Sequence, residues 1–213
     1  MKKNALIIVD PQNSFVSGSL AVKDGEKIMP IISKISNSLY FDIIITTKDW
    51  HPKDHIRFAE NQPTAEVFKP LDINGVVDII WPEHCVAESF GAELHKDLVI
   101  TREYFLVEKG TNKDVHPYSG FSEDLETSEL DAILKMNDIT DVYVAGLATN
   151  FCVFDTATDA MKLGYTTSII TDCTKSIGDF NEALEKIYKY NYDFDKSRKD
   201  GKVIKLVEST IFK

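Results

Sequence analysis

The run from Asn4 to Val9, NALIIV, is apolar at every position from Ala5 on and stops abruptly at Asp10. A strand with one wet face alternates apolar and polar residues, so a strand without alternation must be covered on both sides, as the inner strands of parallel sheets are. Similar runs are Phe41 to Thr47, Val142 to Ala145, Thr167 to Thr171 and Val203 to Val207, with shorter candidates at Leu98 to Thr101 and Tyr104 to Val107. Between them the period lengthens. Within Asp24 to Leu39, residues Ile28, Ile31, Ile32, Ile35 and Leu39 share one helical face, and Val153, Ala157 and Ala160 do so beyond Gly146. Ser128 to Lys135 and Phe180 to Tyr190 also read as helices. Arg57 to Asn74 and Val115 to Glu126 read as loops, and Asp193 to Gly201 as a charged turn. Strands alternating with helices predict an α/β chain, doubly wound, with a mainly parallel sheet and helices on both faces.

No Pro/Gly/Ser-rich linker divides the 213 residues, so one domain over 1–213 is expected. The apolar runs fall far short of a membrane span, and the first one ends in Asp10 before it could serve as a signal h-region. A net charge of −10 with no dense Lys/Arg cluster argues against a nucleic-acid partner. Three cysteines, Cys85, Cys152 and Cys173, cannot all pair within the chain, which points to a reducing compartment and makes the cytoplasm the expected location.

The chemically versatile residues gather at strand ends. Asp10 follows the first run, and ligands bind beyond the carboxyl ends of strands in open α/β sheets. The second run leads into Asp49-Trp50-His51, where an acid and an imidazole one residue apart can share a divalent ion. His55 and Glu60 follow as further donors, and His84 in Trp81-Pro82-Glu83-His84-Cys85 is a third candidate ligand. Tyr104 to Val107 runs into Glu108-Lys109-Gly110, where a buried ammonium on Lys109 would hold a carboxylate and a thiolate charged. Cys152 lies where the strand Val142 to Ala145 gives way to a helix. Amides at a helix start favour a thiolate and can receive an oxyanion, although a small core cysteine fits the same pattern. Phe15 and Trp81 are aromatic residues able to wall a pocket for a ring.

Together VDPQNSF, KDWHPKDH, WPEHC, EKG and GLATNFCVFDTATDA, in that order along nearly the whole chain, resemble the isochorismatase-like cysteine hydrolases, and within them the nicotinamidases, also called pyrazinamidases. The resemblance implies a six-stranded, three-layer α/β/α hydrolase fold and a catalytic triad of Asp10, Lys109 and Cys152. It implies an oxyanion hole from the amides of Ala148 and Cys152 beside a cis peptide at Leu147-Ala148. It also implies one divalent metal, zinc foremost with iron or manganese as alternatives, on Asp49, His51 and His84, with Glu60 where some members use an acid. The implied reaction converts nicotinamide to nicotinate and ammonia through a cysteine thioester, feeding NAD salvage. Phe15 and Trp81 would pack on the ring, and pyrazinamide is a second candidate substrate. A homo-oligomer is compatible with the family. The alternative is a related cysteine amidohydrolase acting on another small amide. Asn150, where Asp is frequent, and Arg57, where Ser is frequent, depart from the pattern, and Tyr118 to Thr127 matches no part of it.

Overall fold

The computed structural model describes residues 2–121, 125, 127–198 and 202–212. The strands are β1 (Asn4–Val9), β2 (Ile43–Asp49), β3 (Pro70–Ile73), β4 (Val76–Ile79), β5 (Phe105–Lys109), β6 (Asp141–Leu147), β7 (Thr166–Lys175) and β8 (Lys205–Val207). The helices are α1 (Asn13–Val16), α2 (Met29–Ser36), α3 (Glu129–Met136), α4 (Phe154–Leu163) and α5 (Phe180–Arg198). Six strands form one sheet in the order β5-β2-β1-β6-β7-β8, and every neighbouring pair is parallel.

Alternate residues of β1 feed two separate cores. Ala5, Ile7 and Val9 pack with Leu130 and Leu134 of α3, Ala157 and Ala160 of α4 and Ile187 of α5. Leu6 and Ile8 pack on the other face with Phe15 of α1, Met29, Ile32 and Ile35 of α2, and Phe212. All five β1 side chains from Ala5 to Val9 are fully buried, and each large aliphatic one contributes about 1.5–3 kcal/mol. This is the doubly wound α/β/α arrangement that the uninterrupted apolar run requires.

Four local readings need correction. Asp24 to Leu39 is not one helix: Asp24 takes a left-handed φ of 62°, Gly25–Ile28 forms a tight 3-10 turn, and α2 runs only over Met29–Ser36. Pro30 sits in the first turn of α2, where its missing N–H is not needed, and Leu39 lies beyond the helix, 93% exposed. Leu98 to Thr101 is not a strand, because the amides of Val99 and Thr101 bond instead to the side chains of Ser33 and Asn37, each at 2.9 Å. The end of the supposed loop Arg57 to Asn74 contains β3, which pairs antiparallel with β4 through Asn74-Gly75, both at positive φ, as a two-residue hairpin turn demands. Helix α5 runs on through Asp193 to Arg198, so much of the expected charged turn is helical, and its residues 199–201 lie outside the described ones. Positions 122–124 and 126 of the Val115 to Glu126 loop also lie outside them, and the described remainder contains no strand or helix. Among the described residues, no helix is long and apolar enough to cross a membrane.

Parallel pairing brings every strand's carboxyl end to one edge. Asp49 and Lys109 are register partners across β2 and β5, and Val9, just before Asp10, is the partner of Gly146 across β1 and β6. Gly146 has φ 112°, and a Cβ there would stand 2.0 Å from the Val9 carbonyl oxygen, so glycine is required where β6 passes the end of β1.

Candidate active site

At that edge Lys109 Nζ touches three side chains. It lies 3.0 Å from Asp10 Oδ2, 2.5 Å from Asp49 Oδ1 and 3.5 Å from Cys152 Sγ. Asp10, Asp49 and Lys109 are each at most 3% exposed, and Cys152 is 6% exposed. Asp10 Oδ1 accepts a hydrogen bond from the Thr47 hydroxyl at 2.8 Å, while Oδ2, despite the nearby ammonium, is not aligned in any hydrogen bond. A lone pair thus remains free on the oxygen nearest Lys109. One donor atom each from Asp10, Asp49 and Cys152 lies within 4.8 Å of the others, which makes Asp10 the carboxylate placed to act as a base toward the sulfur.

The two acids on this lysine are held apart in character. Burial raises Asp10 to about 6, against the pull of Lys109 and with the repulsion of Asp49 added. Burial would raise Asp49 too, but Lys109, then His51 and His84, outweigh it and hold this carboxyl well below the usual range. Burial disfavours the Lys109 ammonium as well, yet Asp10 and Asp49 push its pKa well above the ordinary lysine value. For Cys152 the outcome reverses the expectation of a resting thiolate. Burial pushes the thiol well above its ordinary range, Lys109 opposes this, and Asp10 and Asp49 reinforce it. Helix α4 begins only at Phe154, so two anionic carboxylates, rather than a helix terminus, dominate the charge around the sulfur.

Cys152 stands in an irregular turn, Thr149–Val153, in which Phe151 leaves helical geometry and both Phe151 and Val153 donate to the Ala148 carbonyl. The Leu147-Ala148 peptide is cis. Asn150 secures the turn from outside, its side chain bonding both the N–H and the carbonyl of Ile177.

Next to the lysine, His51 Nε2 is 3.5 Å and His84 Nε2 is 3.9 Å from Asp49 Oδ2. Each ring is fixed by a backbone carbonyl behind it: His51 Nδ1 donates to Gly110 O at 2.9 Å and His84 Nδ1 to Pro82 O at 2.8 Å. That contact needs Gly110, since a Cβ there would fall 2.3 Å from the His51 ring. The opposite nitrogens therefore present lone pairs, and His51 Nε2 is buried with no hydrogen-bond partner. Burial, chiefly, lowers His84 to about 3, leaving it neutral. Two imidazoles fixed from behind and one carboxylate held ionised fit a divalent ion.

The other candidate donors lie elsewhere. His55 is satisfied at both nitrogens, by the Val115 carbonyl and the Arg57 N–H. Glu60 is exposed, accepts the Glu83 N–H at 3.1 Å and belongs to neither donor cluster found among the described residues. His116, by contrast, which sequence reasoning assigned only to a nearby loop, offers a ring nitrogen within 4.8 Å of those of His51 and His84. Gln12 was also overlooked: its buried amide donates to Asp49 O and Ala92 O and accepts from Asp49 N, clamping the backbone that carries the carboxylate.

A small cavity reaches Cys152 and Asp49. Phe15 and Trp81 line it as expected, joined by His84, His116, Tyr118 and Phe151. Trp81 Nε1 donates to Tyr118 Oη, which donates to Asp78 Oδ1, and Phe15 meets the His84 ring edge-on at 5.4 Å.

A profile of the isochorismatase domain matches residues 4–188. The chain belongs to the isochorismatase family. Among relatives within this family, a nicotinamidase of Acinetobacter baylyi is 39% identical over 188 residues, 87% of this chain and 86% of the relative. A nicotinamidase/pyrazinamidase structure from Acinetobacter baumanii superposes with a TM-score of 0.84 at 36% identity, covering 99% and 98% of the two chains. A pyrazinamidase of Pyrococcus horikoshii, solved in complex with zinc, superposes with a TM-score of 0.73 at 32% identity over 97% and 99%.

Proposed function

We propose that this isochorismatase-family chain is an amidohydrolase that converts nicotinamide to nicotinate and ammonia through a thioester on Cys152. The observation that carries this reading is the buried contact of one ammonium with two carboxylates and a sulfur at the floor of an aromatic cavity. Relatives that act on nicotinamide, at 35–39% identity over most of the chain, supply the substrate class.

The ring enters between Phe15 and Trp81 with its carboxamide toward Cys152. Asp10 takes the thiol proton as the sulfur attacks the amide carbon, and the backbone N–H groups of Ala148 and Cys152 receive the oxyanion. Because the resting thiol lies far above Asp10 in pKa, this transfer is uphill before attack. Charge developing on the carbonyl oxygen draws it forward, and Lys109 stabilises the sulfur while its proton is absent. Asp10 then gives that proton to the leaving nitrogen and ammonia departs. A water enters, Asp10 takes its proton, hydroxide adds to the thioester, and the C–S bond breaks as the sulfur recovers the proton from Asp10. Asp49, His51 and His84 would hold a divalent metal, for which zinc is the first choice, and it would supply a Lewis-acid anchor for the ring. Incubating the metal-loaded protein with nicotinamide tests the reading directly: stoichiometric ammonia and nicotinate are expected, and a protein that releases neither refutes it.

A further inference from the structure

The turn that presents Cys152 breaks helical regularity one residue before the sulfur, where Phe151 stands at φ −126°, ψ −107°. The N–H groups of Phe151 and Val153 both fall on the Ala148 carbonyl. Side chains supply further anchorage, and three contacts reach across to the chain that follows. The Thr149 hydroxyl meets the Thr174 hydroxyl of β7 at 2.7 Å. Asn150 accepts the Ile177 N–H on Oδ1 at 3.1 Å and donates from Nδ2 to the Ile177 carbonyl at 2.9 Å. Lys186 of α5 donates to the Asn150 carbonyl at 2.8 Å, with its ammonium 4.1 Å from the centre of the Phe154 ring.

The Asn150 contact is the most demanding of these chemically. The N–H of Ile177 can only donate and its carbonyl can only accept, so a side chain that meets both must present one acceptor and one donor side by side. An amide does so; an ionised carboxylate, which has acceptors alone, cannot. Asn150 departs from the aspartate frequent at this position, and the bend that carries Ile177, with Gly178 at φ 84°, turns both backbone groups onto the amide. The contact also joins separate parts of the cavity wall. Ile177 lines the cavity, as do Phe151 and Cys152 directly after Asn150, so one pair of hydrogen bonds ties the segment holding the sulfur to a wall contributed from beyond β7.

We propose that Asn150 is a positioning residue for the nucleophile: its two bonds to Ile177 hold the Thr149–Val153 turn so that the Cys152 sulfur and the N–H groups of Ala148 and Cys152 stay aligned on the scissile carbonyl. This rests on the reading that Cys152 attacks an amide. Sulfur, carbonyl carbon and oxyanion donors must line up in that step, so loss of the tether falls on kcat more than on binding of the ring, which Phe15 and Trp81 supply from other segments. A carboxylate at 150 would keep the N–H bond, lose the carbonyl bond and set two acceptors against each other. Lys186 is a second and weaker tether, since its side chain is exposed to water.

Two measurements on the metal-loaded full chain test this, comparing the native protein with Asn150→Asp, Asn150→Ala and Lys186→Met. Hydrogen exchange read by peptide mass spectrometry needs no turnover. Both substitutions of Asn150 should speed exchange at least about 10-fold in peptides covering 149–153 and 176–178 together, with β1 unaltered. Steady-state ammonia release, measured below every variant's melting temperature, should show kcat lowered at least about 10-fold in both Asn150 variants, less in Lys186→Met, with KM within about 3-fold of native. Native-like exchange in both segments would overturn the tether. Faster exchange with native kcat, whatever happens to KM or the melting temperature, would overturn the positioning role and leave a merely structural contact. Native protein that releases no ammonia would overturn the amidohydrolase reading and with it the role in attack, an outcome distinct from an active enzyme whose variants turn over equally fast.

Discussion

The two edges of the same sheet carry the same kinds of charged residue to opposite ends. At the amino edge Lys2 pairs with Asp141 and Lys3 with Asp138, each at 3.2 Å, but the lysines are 77% and 43% exposed. A wide depression there runs along Asp42, Arg102, Tyr104, Phe105 and Asn137, and its one guanidinium is engaged by the carbonyls of Ser38 and Phe41. At the carboxyl edge the opening is far narrower, yet Asp10, Asp49, Lys109, His51 and His84 are buried, and oxygen and nitrogen lone pairs remain unsatisfied. Size of opening therefore does not mark the site. What marks it is buried charge with unfilled valence, because in a low-dielectric setting each such group must be offset by its neighbours or by a ligand.

That contrast can be broken most severely at the sulfur. Cys152→Ala should lower kcat for ammonia release by about 10⁴-fold or more while leaving the melting temperature near native, measured by ammonia assay and calorimetry. Asp10→Asn removes the proton acceptor but not the nucleophile, and should lower kcat/KM by roughly 10²–10⁴-fold. The pH profile sharpens the same point with no mutation. The active form of Asp10 is the carboxylate and its pKa is raised to about 6, so kcat/KM should fall as pH drops through about 6, whereas an ordinary aspartate would retain activity down to about 4. His51→Ala should reduce zinc affinity by about 10-fold or more in chelator competition, with KM for the ring rising more than kcat falls. At the opposite edge Lys3→Ala should change stability by less than about 1 kcal/mol and leave kcat/KM unaltered. A large effect there would erase the distinction between the edges.

Much of the carboxyl edge could be read from sequence because each residue follows an apolar run, and parallel pairing places all such ends together. Asp10, Asp49, Lys109 and Cys152 are of this kind, and the run from Ala5 to Val9 was enough to require a core on each face. His116 and Asp78 follow no such rule. They reach the site through a loop and a separate hairpin, and only tertiary packing decides where those go. The hairpin itself carried a local signal in Asn74-Gly75, obscured by weakly apolar flanks. Gln12 was hidden for another reason: its task is to bond the backbone of a distant strand, which leaves no periodic trace. The charge around Cys152 was hidden as well: position near a helix start favours an anion, whereas the two carboxylates that oppose it arrive from the ends of β1 and β2.

The most direct test of the thioester route is to quench the protein in acid during turnover of ring-labelled nicotinamide and map the label by peptide mass spectrometry. Label on Cys152 alone is predicted, with Cys85 and Cys173, both buried and neither lining the cavity, left unmodified. Label on either of those cysteines, or steady turnover with no labelled sulfur and no loss of rate in Cys152→Ala, would contradict the account.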